Sequence, residues 1–175
     1  GNKVSAQINF GWQVNTWPVG DLVEYVNAVT EEEISTQLAE YKERYDINTI
    51  NLESIRYQAK LNIAMKKCLD KIGAKAFTDT FEDLHGLEQL GGLASQNLMY
   101  DGYGFGGEGD WKTSAMTHIV KEMTKGRTGG TSFMEDYTYH MVNDGYVLGS
   151  HMLEVCPTIA NGKPRIEVHH LGIGG

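Results

Sequence analysis

The amino-acid sequence predicts an α/β fold, a layered α/β segment over residues 1–125 followed by the beginning of a β-rich domain over residues 126–175. Three observations lead there. The first half alternates helical periodicity with a period-two stretch, the pattern of an αβ unit. From Thr131 onward, strand-like runs are punctuated by Asn143-Asp144-Gly145 and Asn161-Gly162. Between the two, the texture changes: 17 of the 21 glycines and five of the six histidines lie at or after Gly86. A chain of 175 residues is long enough for a core, burying roughly 70% of its unfolded surface.

Each element has a local reason. Gly20 and Asp21 open an apolar-periodic stretch through Leu22, Val23, Tyr25, Val26 and Val29, a short helix with Asp21 near its positive end. Thr30 and Glu33 have capping-box spacing and start a second helix. In it Ile34, Leu38, Tyr41 and Tyr45 make one buried stripe, with Glu40, Lys42, Glu43 and Arg44 outside. A longer helix runs from Leu52 to Ile72, with Ile55, Ala59, Ile63, Met65 and Leu69 inward, Lys66, Lys67 and Lys71 near its negative end, and Gly73 as the stop. Lys75 to Phe81 then alternates with period two, as a half-buried strand does. Leu87 to Tyr100 reads as a helix interrupted by Gly91 and Gly92, and Gly102 to Gly109 as a loop, too rich in glycine for a helix or strand interior. Asp110 is placed to cap a helix through Trp111, Ala115, Ile119 and Met123 that ends at Gly126. Strands follow at Thr131 to Met141, Tyr146 to Val155 and Arg165 to His170.

Composition narrows the function. Fifteen Lys and Arg against 23 Asp and Glu give a net charge of −8, which disfavours nucleic acid as a partner. No apolar run reaches the ~18 residues of a membrane helix, and the first residues carry no apolar signal core. Cys68 and Cys156 are far apart, without CxxC or disulfide-framework spacing, which suits a reducing compartment and a cytoplasmic location.

Two motifs carry possible chemistry. Gly102 to Gly107 fits GxGxxG before a helix, the pattern that brings pyrophosphate to helix amides, but the preceding segment is helix-like and Glu122 falls inside the following helix. Glycines that allow a tight path are the simpler reading. The second set is Glu108 in the glycine loop, Glu135 among Phe133, Met134, Tyr137 and Tyr139, and His151 among Leu148, Met152 and Leu153. Acidic and imidazole groups in apolar company need a partner, and a cation supplies one. Two carboxylates and one imidazole without a thiolate suit Mn²⁺, Mg²⁺ or Co²⁺ more than structural zinc. For the adjacent acids Asp110 and Asp136, helix capping and solvent exposure are the favoured roles.

These stretches resemble one family. Gly102-Tyr-Gly-Phe-Gly-Gly-Glu-Gly-Asp-Trp-Lys-Thr113, Gly129-Gly-Thr-Ser-Phe-Met-Glu-Asp-Tyr-Thr-Tyr-His140, Gly149-Ser-His-Met-Leu-Glu-Val-Cys-Pro157 and His170-Leu-Gly-Ile-Gly-Gly175 resemble segments of L-arabinose isomerase. So do Thr80-Phe-Glu-Asp-Leu-His-Gly86 and Phe10-Gly-Trp-Gln-Val-Asn-Thr-Trp17. The resemblance implies interconversion of L-arabinose and L-ribulose, with D-galactose and D-tagatose as a slower pair. It implies a divalent metal, usually Mn²⁺, on Glu108, Glu135 and His151, with a second histidine in a segment following Gly175; His169 and His170 do not match its motif. Glu108 and Glu135 would combine ligation with proton transfer, and Phe81 and Tyr146 would line the sugar pocket. It also implies trimers paired into hexamers. On this reading the chain is a central fragment, inactive alone. The rivals are a non-catalytic sugar-binding or assembly module of the same fold, and a nucleotide-binding unit using Gly102 to Gly107.

Overall fold

A computed structural model describes residues 2–82 and 84–170. Asp83 and residues 171–175, both within stretches that carry the resemblance, lie outside the described residues. The architecture is mixed α/β, as expected. The elements are α1 (Lys3–Phe10), α2 (Val19–Asn27), α3 (Glu31–Arg44), β1 (Asp46–Ile47), α4 (Leu52–Ile72), β2 (Ala76–Phe77), α5 (Gly92–Tyr100), β3 (Gly104–Phe105), α6 (Trp111–Met123), β4 (Glu135–His140), β5 (Tyr146–Ser150) and β6 (Arg165–Ile166). Strand pairs are β1 with β6 and β2 with β3, both parallel, and β4 with β5, antiparallel.

The helices with strong local signals form where the sequence places them. The Thr30 hydroxyl accepts from the Glu33 amide while the Glu33 carboxylate accepts from the Thr30 amide, closing the capping box of α3. Lys67 of α4 reaches the same carboxylate at 2.5 Å, and together with the Thr30 amide holds its pKa down at about 2. Asn51 caps α4 by accepting from the Ser54 amide at 3.2 Å, and Gly73 ends it in the left-handed region, φ 69°. Helix α4 is the central element, packed against α2, α3 and α5. Its Ile55, Ala59, Leu61, Ala64, Met65 and Leu69 meet Val26, Ile34, Tyr41, Ala94 and Leu98 in one core.

The side chains of Tyr41, Tyr45, Gln58, Asn62 and Asn97 inside that core are hydrogen-bonded, as burial demands. Tyr41 Oη donates to Asn62 Oδ1 at 3.0 Å, and Tyr45 Oη to Asn97 Oδ1 at 3.2 Å. Gln58 of α4 donates to Gln89 Oε1 at 2.9 Å and Leu90 O at 2.7 Å, and its Oε1 accepts from the Ala94 amide at 3.1 Å. One side chain thus ties α4 to the strap before α5 and to the first turn of α5.

Several expectations are corrected. Helix α1 was not anticipated; Asn2 caps it and Gly11, φ 72°, ends it. The strand expected over Lys75 to Phe81 contracts to Ala76–Phe77, because its partner β3 offers two residues for pairing. Helix α5 begins after Gly91, so residues 87–90 are an irregular strap and not helix. The loop expected over Gly102 to Gly109 contains strand β3. Glycine is tolerated there because α6 lies against the strand: a Cβ on Gly104 would come 2.8 Å from His118 Cβ, and one on Gly106 would come 2.7 Å from Asp110 O. Strands β4 and β5 are shorter than expected, since β4 starts at Glu135 and the chain leaves the hairpin after Ser150. The last strand is Arg165–Ile166 alone, and it returns to pair with β1, burying Ile166 in the helical core.

The GxGxxG stretch does not present a pyrophosphate cradle. The start of α6 is already satisfied, as Asp110 Oδ1 accepts from the amides of Lys112 at 3.1 Å and Thr113 at 3.0 Å. Burial opposes ionisation of Asp110, but the hydrogen bonds from Thr113 and Lys112 prevail and hold its pKa below the usual value.

The close approach of β3 and α6 gives a paired prediction. Gly104→Ala should cost about 3 kcal/mol, the upper end for overpacking, and lower Tm by roughly 6–12 °C. Gly92→Ala, with nothing within 4 Å of the added Cβ, should leave Tm unchanged or slightly raised. Thermal melts of the two variants beside the wild type check both.

Candidate active-site cleft

A cleft of ≈ 380 Å³, its open mouth included, lies where β2, the loop after β3, the strap before α5 and the segment after β5 meet. Asp79, Thr80 and Phe81 line it from the chain following β2, Glu108 from the glycine loop, Leu90 and Gly91 from the strap, and His151, Leu153 and Glu154 from the last segment. Three residues singled out from the sequence, Phe81, Glu108 and His151, are therefore brought together.

Each is held by a different device. Glu108 sits between the end of β3 and the cap of α6, at φ 56°, a left-handed conformation that side chains with a Cβ rarely adopt. Its neighbour Gly109, φ 83°, donates its amide to Asp79 O at 3.0 Å, linking the glycine loop to the chain after β2. His151 packs edge-on against Phe133, centroids 4.8 Å apart, and Phe133 packs edge-on against Phe105 of β3 at 5.5 Å. His151 Nδ1 lies 3.2 Å from Glu154 O. A carbonyl only accepts, so Nδ1 carries the hydrogen and the lone pair of the neutral ring is on Nε2. Phe81 is 56% exposed on the cleft wall, so it is not the core aromatic that a period-two strand would make it.

The other two sequence candidates lie elsewhere. Glu135 opens β4 opposite Ser150, half-buried, and does not line the cleft. Tyr146 opens β5, 66% exposed and stacked on His140 at 4.5 Å, also away from the cleft lining.

The structure adds two acids that sequence reasoning passed over. Burial, then the neighbouring Glu154 carboxylate, pushes Asp79 up to about 7. Burial, then Glu135, raises Glu154 as well. Asp79 was hidden as a polar position of an alternating strand, and Glu154 as one letter of the motif around His151. The sequence signal for Glu154 was an acid flanked by Leu153 and Val155, and Asp79, between Thr78 and Thr80, carried none.

Carboxylates and one imidazole match a hard divalent ion in kind. In arrangement the match is partial: among the described residues, no three His, Cys, Asp or Glu side chains gather as a set able to hold a metal ion.

Fold and cleft define an α/β protein built around an acidic, histidine-bearing cleft. The family model described as the L-arabinose isomerase central domain matches residues 1–126, and that described as the L-arabinose isomerase C-terminal domain matches residues 130–175. The chain belongs to the L-arabinose isomerase family. Among curated relatives, the L-arabinose isomerase of Thermotoga neapolitana is 58% identical over 178 residues, covering 100% of this chain and 36% of the relative. That of Geobacillus stearothermophilus is 55% identical over 182 residues, with the same coverage. That of Salmonella enteritidis is 54% identical over 183 residues, covering 37% of the relative. The chain thus spans little more than a third of the length of these relatives.

Two predictions follow from the strain and charge in the cleft. An acid whose folded pKa lies above its unfolded value of 3.8 destabilises the fold increasingly as pH rises from about 4 to about 7. Asp79→Asn should therefore raise Tm above pH 7 and leave it nearly unchanged below pH 4, as melts across that range would show. Glu108→Gly should relieve the left-handed strain and stabilise the chain by about 1 kcal/mol in denaturant titrations.

Proposed function

We propose that these residues form the central, metal-bearing part of an aldose–ketose isomerase that interconverts L-arabinose and L-ribulose, with D-galactose and D-tagatose as a slower pair. Supporting this most directly is Glu108, held in a strained backbone conformation at a cleft shared with His151 in a chain of the L-arabinose isomerase family. Backbone strain of this kind clusters at sites that bind or react.

The reaction moves a proton between C1 and C2 of the open-chain sugar. Glu108 or Glu135 takes the proton as a carboxylate and returns it as a carboxylic acid, which needs an oxygen about 3 Å from the carbon-bound hydrogen. Phe81 lines the apolar side of the sugar. Glu108, Glu135 and His151 are the residues that would hold Mn²⁺, or Co²⁺ or Mg²⁺ in its place. Bound there, the ion supplies Lewis-acid stabilisation of charge developing on the two sugar oxygens. Two structural points favour His151 as a ligand: the carbonyl of Glu154 fixes its tautomer, and the edge of Phe133 fixes its ring. The enzyme works as a homo-oligomer of trimers paired into hexamers in the cytoplasm. Among the described residues, no helix is long and apolar enough to cross a membrane.

The 175 residues by themselves should not turn over L-arabinose, and appearance of L-ribulose from the purified chain would overturn that. In the full-length isomerase carrying them, Glu108→Gln and Glu135→Gln should each lower kcat by more than about 10³-fold, as loss of a group with both electrostatic and proton-transfer roles does. Near-normal turnover in both variants would end the assignment.

A further inference from the structure

We propose that Asp79, backed by the Ser95 hydroxyl, is a subsite for one hydroxyl of a neutral polyhydroxylated substrate. The proposal rests on the isomerase reading for its substrate class and on three independent features for its place.

The first feature is position. Asp79 lines the same cleft as Glu108, His151 and Phe81, and its backbone carbonyl anchors Gly109 beside Glu108. The second is a hydroxyl without a partner. Ser95 of α5 is fully buried, and among the described residues its Oγ has no hydrogen bond, whereas their other buried side-chain nitrogens and oxygens are paired. Such a group calls for a ligand or water that completes it. The third is Gly91, a cleft-lining residue that leaves room between the two oxygens. A Cβ on Gly91 would meet Ser95 Oγ at 3.0 Å and Asp79 Oδ2 at 3.2 Å, so both oxygens border the space of one missing side chain.

The charges around this point select the ligand. Glu108, Glu154 and His151 are the other titratable groups lining the cleft, Glu135 stands behind Glu154, and no lysine or arginine is among the lining residues. A phosphorylated sugar would be repelled. A sugar hydroxyl both donates and accepts, so it satisfies a carboxyl oxygen and a serine hydroxyl together. With a pKa raised by burial, the Asp79 carboxyl holds a proton for part of the time near neutrality and so meets the hydroxyl as donor or acceptor.

The test is isothermal titration of L-arabinose, and of its deoxy analogues, into the full-length isomerase carrying these residues, with L-ribulose formation measured in parallel. Asp79→Ala should weaken L-arabinose binding by about tenfold or more, the effect of losing a hydrogen bond to an ionisable group. Asp79→Asn, which keeps a donor and an acceptor, should stay within about threefold of wild type. Gly91→Ala, at φ −71° where alanine fits the backbone, should weaken binding by wedging a methyl group between the two oxygens. For the analogue lacking the partner hydroxyl, wild type and Asp79→Ala should bind equally. The subsite is overturned if Asp79→Ala and Gly91→Ala both bind within twofold of wild type. It is also overturned if the loss is the same on every analogue, or if the wild type does not bind the sugar at all. A wild type that binds L-arabinose without forming L-ribulose overturns the isomerase reading and leaves the subsite to be judged on the binding arms.

Discussion

The close approach of β3 to α6 is the constraint on which the cleft depends. Gly104 and Gly106 have no Cβ, so the strand lies against the helix backbone near Ser114 and His118. That contact fixes everything attached to either side. Phe105, between the two glycines, is driven into the core with Met99, Phe133 and Cys156, and Phe133 in turn carries the edge of His151. His118 Nδ1 reaches Gly102 O at 2.9 Å and ties the helix to the start of the glycine stretch. With both ends of the loop held, Glu108 has little freedom, and its left-handed backbone follows from the short span between β3 and the Asp110 cap. The glycine-rich composition that looks like flexibility in the sequence serves rigidity here.

Polar contacts in the core complete the frame. Gln58 uses both ends of its amide to join α4, the strap at Leu90 and the first turn of α5. Leu90 and Gly91 line the cleft, so one buried glutamine of the longest helix sets the position of that wall. Arg44 of α3 donates to Asn97 Oδ1, which also accepts from Tyr45, and Arg44 stacks over Tyr100 at 3.6 Å. These bonds run between helices, where a missing partner would leave a buried amide unsatisfied at a cost of about 1–3 kcal/mol. They restrict α5 to one placement against α4.

Legibility in the sequence follows the range of the forces. Helices α3, α4 and α6 are readable because Thr30, Gly73 and Asp110 act within a turn of where they stand. Strands β1, β2, β3 and β6 are two residues each and exist through partners far along the chain, Asp46 with Arg165 and Ala76 with Gly104. Local pattern announces β2 and β6 only as longer runs, and β1 and β3 not at all. At the cleft, Glu108, His151 and Phe81 are readable because they stand in uncommon strings. Asp79 and Glu154 are not, because what distinguishes them is burial beside another carboxylate, a property that arises when the segment after β5 meets the segment after β2.

Several unfavourable features of this chain gather in one place, while the positive φ of Asn143 and the raised pKa of Asp101 lie apart from it. A carboxylate residue at positive φ, two acids whose charged forms burial opposes, and a buried hydroxyl without a partner all lie in or beside one cleft. The helical core next to it has a satisfied capping box, paired amides and filled apolar contacts. A fold that resolved its conflicts everywhere by the same rules would have placed Gly at 108, an amide or apolar side chain at 79 and Ala at 95, each at a gain in stability. Retention of Glu108, Asp79 and Ser95 side by side therefore points to a ligand whose binding offsets those costs. The chemistry common to all three is that of a polyol: oxygens to accept its hydroxyl hydrogens, one hydroxyl to return the favour, and no fixed positive charge to attract an anion.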